Sequence, residues 1–103
     1  MIHVIATLEL RPGTRAAFLE EFARLAPEVH AEAGCIEYAA AVDVATPLAA
    51  QLPLRPDVVT VVEKWADVPA LEAHQRAPHM EAWRARVRDQ LAGVTLQVLT
   101  PCS

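Results

Sequence analysis

Hydrophobic and polar residues alternate along the start of the chain and then change to a helical spacing. Residues 2–10, IHVIATLEL, place an apolar side chain at every second position, which predicts a strand with one buried face. The turn sequence RPGT follows, with Thr14 as the expected N-cap of a helix. Pro27 is expected to kink and interrupt this helix, and Gly34 to end it as a C-cap. The apolar stripe of the helix is spaced 4, 3 and 4 residues apart: Phe18, Phe22, Leu25 and Val29.

Two further strands are predicted in the middle of the chain. Residues 35–42, CIEYAAAV, form the first, with Ile36 and Tyr38 expected on the same face. Residues 43–57 contain three prolines and show no clear period, which predicts a loop that is long for joining neighbouring strands. Residues 58–65, VVTVVEKW, are rich in β-branched residues, so we expect a strand that is covered on both faces.

The last third of the chain predicts a helix in two pieces and a final strand. Asp67 is expected to cap a short helix that has a proline in its first turn. Pro78 opens the second piece, residues 79–92, which Gly93 is expected to close before a strand at 94–100. The second piece has an apolar stripe: Met80, Trp83, Val87 and Leu91.

The order β-α-β-β-α-β predicts an α+β, ferredoxin-like fold, in which helices cover one face of an antiparallel sheet. The chain is long enough for one domain, residues 1–103. The strands offer apolar residues on both faces, whereas the helices can cover only one. Ile5, Val58, Val62 and Leu99 therefore need a second cover, and a homodimer packed sheet to sheet supplies it.

Composition narrows the partners. Hydrophobic residues make up 53% of the chain, which is rich for a lone domain and agrees with burial in a dimer. The net charge of −4 argues against nucleic acids or anionic membranes as partners. No apolar run approaches the roughly 18 residues of a membrane span. Cys35 and Cys102, two lone cysteines, are typical of thiols in a cytoplasmic protein.

The stretch VEKWADVPALEAHQRAPHMEAW, residues 62–83, carries an E-x-W, an L-x-x-H and a P-H pattern. Together with MIHVIATLELRPGTRAAFLEEF and PEVHAEAGCIEY, it resembles the antibiotic biosynthesis monooxygenase family of dimeric α+β barrels. The resemblance covers nearly the whole chain. It implies a pocket between sheet and helices, in which some members oxygenate quinols or anthrones with molecular oxygen and with no metal and no flavin.

The resemblance also suggests which residues form the site. His74 is the candidate base, since an imidazole suits proton abstraction at neutral pH, and Trp65 is the second candidate catalytic residue. Each has a structural alternative: His74 holding the short helix against the sheet, and Trp65 as a core or interface aromatic. Four further residues are candidates for contacting the substrate: Tyr38, His79, Trp83 and Arg84.

Other functions remain open. A dimeric barrel that binds a small apolar ligand without catalysis is the main alternative. Haem degradation ranks lower, because that branch of the family uses an asparagine and the chain contains none. A metal site is not expected, because His74 and His79 are five residues apart with Pro78 between them and do not form the i,i+4 pair of a zinc helix.

Overall fold

The computed structural model describes residues 1–103 as four strands and three helices. The sheet contains strands β1, β2, β3 and β4, which are Ile2–Leu10, Cys35–Ala41, Val58–Trp65 and Leu91–Leu99. The helices α1, α2 and α3 are Arg15–His30, Val68–Arg76 and Pro78–Val87, and a short 3₁₀ helix, Arg88–Gln90, follows α3. None of the helices is long and apolar enough to cross a membrane.

The sheet has the order β2-β3-β1-β4, and every neighbouring pair is antiparallel. This arrangement confirms the predicted α+β, ferredoxin-like fold. Alternate residues of β1 are buried against the helices, as the sequence pattern predicts. Burial alternates in β3 as well, so the helices cover one face of this strand, whereas its sequence predicts cover on both faces. The predicted stripe of α1 faces the same core, and all four of its residues are buried.

The start of α2 follows its capping prediction, whereas α1 follows its prediction only in part. The Asp67 carboxylate accepts a hydrogen bond from the backbone N–H of Ala70, with 2.9 Å between the atoms. Thr14 lies at the predicted N-cap position of α1, but its hydroxyl donates to the carbonyl of Arg11 and caps no helical N–H. The helix runs on through Pro27 and ends at His30, so the C-cap prediction for Gly34 is wrong.

Gly34 instead lies in the turn that leads into β2. Its φ of +81° is a left-handed conformation that favours glycine. A Cβ atom at Gly34 would also lie only 2.7 Å from the Cβ of Ala70 on α2. The glycine therefore lets the turn before β2 approach α2 closely.

Two irregularities in the sheet overturn local predictions. The register between β1 and β4 shifts at Glu9, which pairs with Gly93. Strand β4 therefore begins at Leu91, and Gly93 lies inside it. The prediction that Gly93 closes a helix is wrong. A second shift lies between Cys35 and Glu37. As a result Ile36 is 56% exposed whereas Tyr38 is buried, so the two side chains do not share a face as predicted. In both places an extra residue in one strand breaks the alternation of faces.

The opposite face of the sheet has no helix over it. Ile5, Val58 and Val62 are only half-buried there, and Leu99 is exposed. The loop at 43–57 is tied at its ends by the ion pair between Arg55 and Asp43, and it exposes further apolar side chains: Val44, Leu48, Leu52 and Leu54. The chain thus presents much uncovered apolar surface outside its core.

Candidate functional site

A cavity of about 500 Å³ lies between the helix-facing side of the sheet, helices α2 and α3, and strand β4. Most of its wall is apolar, with Ala6, Leu8 and Val61 from the sheet and Met80 from α3. Polar side chains are few, and they come from different elements: Tyr38, Glu63, His74, Gln75, Arg84 and Arg88. A cavity of this size with a few convergent polar groups is typical of small-molecule sites.

His74 contributes to the cavity wall from the inner face of α2. The Asp67 cap starts α2 directly after β3, so Leu71 and His74, three residues apart, both turn toward the core. His74 is 1% exposed, and its Nδ1 lies 2.9 Å from Oε2 of Glu32. Burial lowers the pKa of His74, although the hydrogen bond to Glu32 acts in the opposite direction. The imidazole is therefore neutral at pH 7.

The contact with Glu32 also assigns the tautomer of His74. A carboxylate only accepts hydrogen bonds, so Nδ1 carries the proton and donates it. The other ring nitrogen, Nε2, then holds a free lone pair and makes no hydrogen bond within the chain. A neutral imidazole with one nitrogen held by a carboxylate and the other free is suited to accept a proton.

Glu32, in the turn after α1, joins both candidate histidines. Its Oε2 also lies 2.7 Å from Nε2 of His79, which follows Pro78 in the first turn of α3. His79 does not line the cavity, and its contact with the site runs through this carboxylate. Glu32 was not found by sequence reasoning, since its partners are 42 and 47 residues away and no local pattern connects them.

Trp65 lies behind the cavity wall and contacts two residues that form it. Its side chain is fully buried and does not line the cavity. Its ring packs on the imidazole of His74, with 4.6 Å between the ring centroids and 35° between the planes. Its Nε1–H donates to Oε1 of Glu63 over 2.9 Å. One tryptophan thus positions both His74 and Glu63.

Glu63 is a buried carboxyl group on the interior strand β3. It is 4% exposed and forms no ion pair, although carboxylates are rarely buried without one. Burial raises its pKa to about 7, the Trp65 N–H lowers it, and the nearby Glu32 charge raises it. At neutral pH this carboxyl is therefore close to half ionised. Sequence reasoning assigned no role in the substrate site to it.

Tyr38 lies on β2 directly opposite Glu63 in the sheet register. Its ring stacks on Phe22, with 5.2 Å between the centroids, and forms a T-shaped pair with the His74 ring at 5.4 Å. Burial is the main cause that raises the pKa of its hydroxyl, so the hydroxyl stays protonated at all ordinary pH values. Tyr38 lines the cavity as a neutral hydrogen-bonding group.

Helix α3 contributes Trp83 and Arg84 to the cavity wall. Trp83 is 5% exposed, packs edge to face on Phe18, and its indole N–H has no acceptor in the chain. Such an unpaired buried donor is unusual in a folded protein. Arg84 donates from Nη2 to the carbonyl and to the side-chain oxygen of Gln75, over 2.9 and 3.0 Å. The guanidinium is therefore held in place beside the cavity.

The structure thus brings four of the six predicted site residues to the cavity wall, namely Tyr38, His74, Trp83 and Arg84. Trp65 and His79 lie behind the wall. No group of three or more His, Cys, Asp or Glu side chains has the geometry of a metal site. His3 pairs with Lys64, the residue next to Glu63 on β3. Because successive residues of a strand point to opposite faces, His3 lies on the other face of the sheet from Glu63.

Comparisons with known proteins agree with this fold. The family described as antibiotic biosynthesis monooxygenase matches residues 1–86. A protein of Escherichia coli K12 named "Probable quinol monooxygenase YgiN" is 37% identical over 103 residues, covering 98% of each chain.

Two solved structures show the same fold. PA3566 from Pseudomonas aeruginosa is 26% identical, with a TM-score of 0.80 over 99% of this chain and 94% of that one. Rv0793 from Mycobacterium tuberculosis is 25% identical, with a TM-score of 0.79 over 99% and 95%.

Proposed function

Because the chain belongs to the antibiotic biosynthesis monooxygenase family, we propose that it oxygenates a quinol-like or anthrone-like aromatic molecule with O₂ and no added cofactor. In this reaction one oxygen atom of O₂ enters a ring carbon of the substrate. The other atom leaves as water. The name of the Escherichia coli relative, "Probable quinol monooxygenase YgiN", supports this substrate class.

The observation that carries the proposal is the Glu32–His74 pair at the edge of an apolar cavity. An electron-rich phenol gives an electron to oxygen readily only after it has lost its hydroxyl proton. His74 is the base that removes this proton, through Nε2, while Glu32 holds Nδ1 and stabilises the imidazolium that forms. The apolar walls give the reactive anion surroundings of low polarity.

The remaining predicted residues bind the substrate or position the side chains of His74 and Glu32. The phenolate that forms is stabilised by the charge of Arg84, and the free N–H of Trp83 donates to a substrate oxygen. Tyr38 offers a neutral hydroxyl on the sheet side. Trp65 fixes the orientation of His74, and His79 acts indirectly because it holds Glu32.

We also propose that the chain works as a homodimer in the cytoplasm. The half-buried Ile5 and Val62 and the exposed Leu99 on the open face of the sheet support a second subunit as its cover. No residue of the loop 43–57 lines the cavity, so its exposed leucines are available to pack on the partner. Both cysteines are free thiols, which is typical of a reducing compartment.

Oxygen uptake by the metal-stripped protein, measured with a panel of quinols and anthrones, tests the proposal. We expect uptake well above the spontaneous rate, a loss of about 100-fold or more in His74→Ala, and a smaller loss in Trp65→Phe. Glu72→Ala, an exposed side chain on the same helix α2, is the matched control and should keep the wild-type rate.

The alternative function, a non-catalytic barrel that binds an apolar ligand, predicts a different pattern. The same aromatic molecules would bind in the cavity, but uptake would stay at the spontaneous rate in every variant. Uptake that is unchanged in His74→Ala would keep the oxygenase activity and refute His74 as its base.

A further inference from the structure

We propose that Glu63 is a second proton-transfer residue of the cavity, which accepts a hydroxyl proton of the aromatic substrate at Oε2 while Trp65 holds Oε1. The inference deepens the proposed function and rests on it. It gives the cavity two proton acceptors, His74 and Glu63, which both contact one tryptophan.

The first support is the position of Glu63. It lies on the helix-facing side of the interior strand β3 and is the only acidic side chain in the cavity wall. Oε1 accepts the N–H of Trp65, whereas Oε2 accepts no hydrogen bond from the chain. A buried carboxyl whose one oxygen accepts a hydrogen bond has a fixed orientation, and its other oxygen is free to accept a proton. This is the geometry of a general base.

The second support is the lack of a structural partner. A carboxylate buried for stability would be expected to pair with a cation, and no lysine or arginine lies within ion-pair distance of Glu63. An apolar residue at this position would continue the pattern of Val59 and Val61 without a desolvation cost. The carboxyl is therefore better explained by what enters the cavity than by the packing of the core.

The charged and titratable groups around Glu63 come from several elements. On β2, Tyr38 lies opposite Glu63 and stays neutral. On β1, the residue opposite Glu63 is Val4, which has no titratable group. The turn after α1 contributes the negative charge of Glu32, which raises the pKa of Glu63. His74 of α2, Arg84 of α3 and Arg88 of the 3₁₀ helix face the same cavity. Neither arginine pairs with the carboxyl, so burial dominates its titration.

A quinol has two hydroxyl protons to lose, and a second acceptor can take the second one. Oxygenation of a quinol to a hydroxyquinone breaks both hydroxyl O–H bonds, one ring C–H bond and the O–O bond, and it forms one C–O bond to the ring. Four electrons pass from the quinol to O₂. The hydrogen of the ring C–H bond ends on the new ring hydroxyl, and the two hydroxyl protons end on the other oxygen atom, which leaves as water. His74 Nε2 takes up one proton and Glu63 Oε2 the other, and both return them to the departing oxygen atom.

The dependence of the rate on pH tests this role with Glu63→Gln. In the wild type, kcat/KM with 1,4-dihydroxynaphthalene should rise with pH and level off above about 7, where Glu63 is ionised. Glu63→Gln should lower kcat/KM by about 100-fold or more. The residual kcat/KM should depend on the ionisation of His74 alone, so its rise with pH should move to lower pH. Glu72→Gln, an exposed carboxyl on α2, is the matched control.

A second readout does not depend on turnover. The Glu63 carboxyl is followed by NMR in protein labelled with ¹³C at the glutamate side-chain carbon, without oxygen, and identified by its loss in Glu63→Gln. A bound 1,4-dihydroxynaphthalene donates to the carboxylate and should lower the pKa of Glu63, whereas its dimethyl ether should not.

The outcomes separate the two proposals. Wild-type uptake with an unchanged rate or an unchanged pH profile in Glu63→Gln overturns the role of Glu63 and leaves the oxygenase intact. An equal effect of the quinol and its dimethyl ether on the NMR titration also overturns it. Absence of both uptake and binding in the wild type overturns the proposed function and this inference with it.

Discussion

Replacing Glu63 by glutamine should change how the free energy of unfolding depends on pH. The two side chains have nearly the same shape, and the glutamine oxygen can still accept the N–H of Trp65. The substitution therefore removes one property, the ability of this buried group to ionise. Any pH dependence that separates the two proteins can be assigned to that carboxyl.

The magnitude follows from the pKa of Glu63. Burial raises it from an ordinary value of 4.5 to about 7 in the folded protein. Each pH unit of such a difference corresponds to about 1.4 kcal/mol, so ionising Glu63 in the folded state costs roughly 3 kcal/mol. Because the pKa of Glu63 is raised in the folded state, the protonated carboxyl costs no unfolding free energy below pH 4.5. That stability is lost as the pH rises from 4.5 through about 7, where Glu63 ionises in the folded protein.

Urea unfolding followed by circular dichroism, at fixed protein concentration, measures the effect. The unfolding free energy of Glu63→Gln minus that of the wild type should be about 3 kcal/mol larger at about pH 8.5 than at about pH 4. The same comparison with Glu72→Gln should be nearly flat, because that side chain is exposed. A Glu63→Gln difference that does not vary with pH would refute the raised pKa and the unpaired burial behind it.

Two further predictions concern Glu32 and the subunit contact. Glu32→Gln removes the charge that stabilises the protonated form of His74 and should lower kcat by at least about 10-fold, with KM little changed. An equal loss in Glu28→Gln, an exposed carboxyl on α1, would contradict this explanation. The wild type should be a dimer by light scattering at micromolar concentration, and Ile5→Glu should dissociate it. A wild-type mass equal to the 11.2 kDa of one chain would refute the dimer.

Much of the fold could be predicted because its signals are local. The alternation in β1 and the stripe of α1 depend on neighbours two to four residues apart, which the sequence displays directly. The start of β4 could not be placed in this way. Val87 and Leu91 are four residues apart and fit a helix, yet the chain leaves α3 at Val87 because residues from Leu91 onward pair with β1.

The candidate site was predictable only in part for the same reason. His74 stood out because it lies in the L-x-x-H pattern of the family resemblance and because an imidazole suits proton abstraction. Its partner Glu32 lies 42 residues away, and only the tertiary fold brings the two together. Glu63 did leave a signal, since it occupies the inward position after Val59 and Val61 in an otherwise apolar run. A carboxyl at a position whose period predicts burial is a residue to examine for function.

The source of the oxygen in the product tests the central claim most directly. The metal-stripped protein would oxidise 1,4-dihydroxynaphthalene under ¹⁸O₂ in ordinary water, with His74→Ala beside it, and mass spectrometry would read the product. The oxygenase account predicts one ¹⁸O atom in the hydroxyquinone made by the wild type, at a rate far above that of His74→Ala. Unlabelled product, or equal labelled product without the protein, would contradict it.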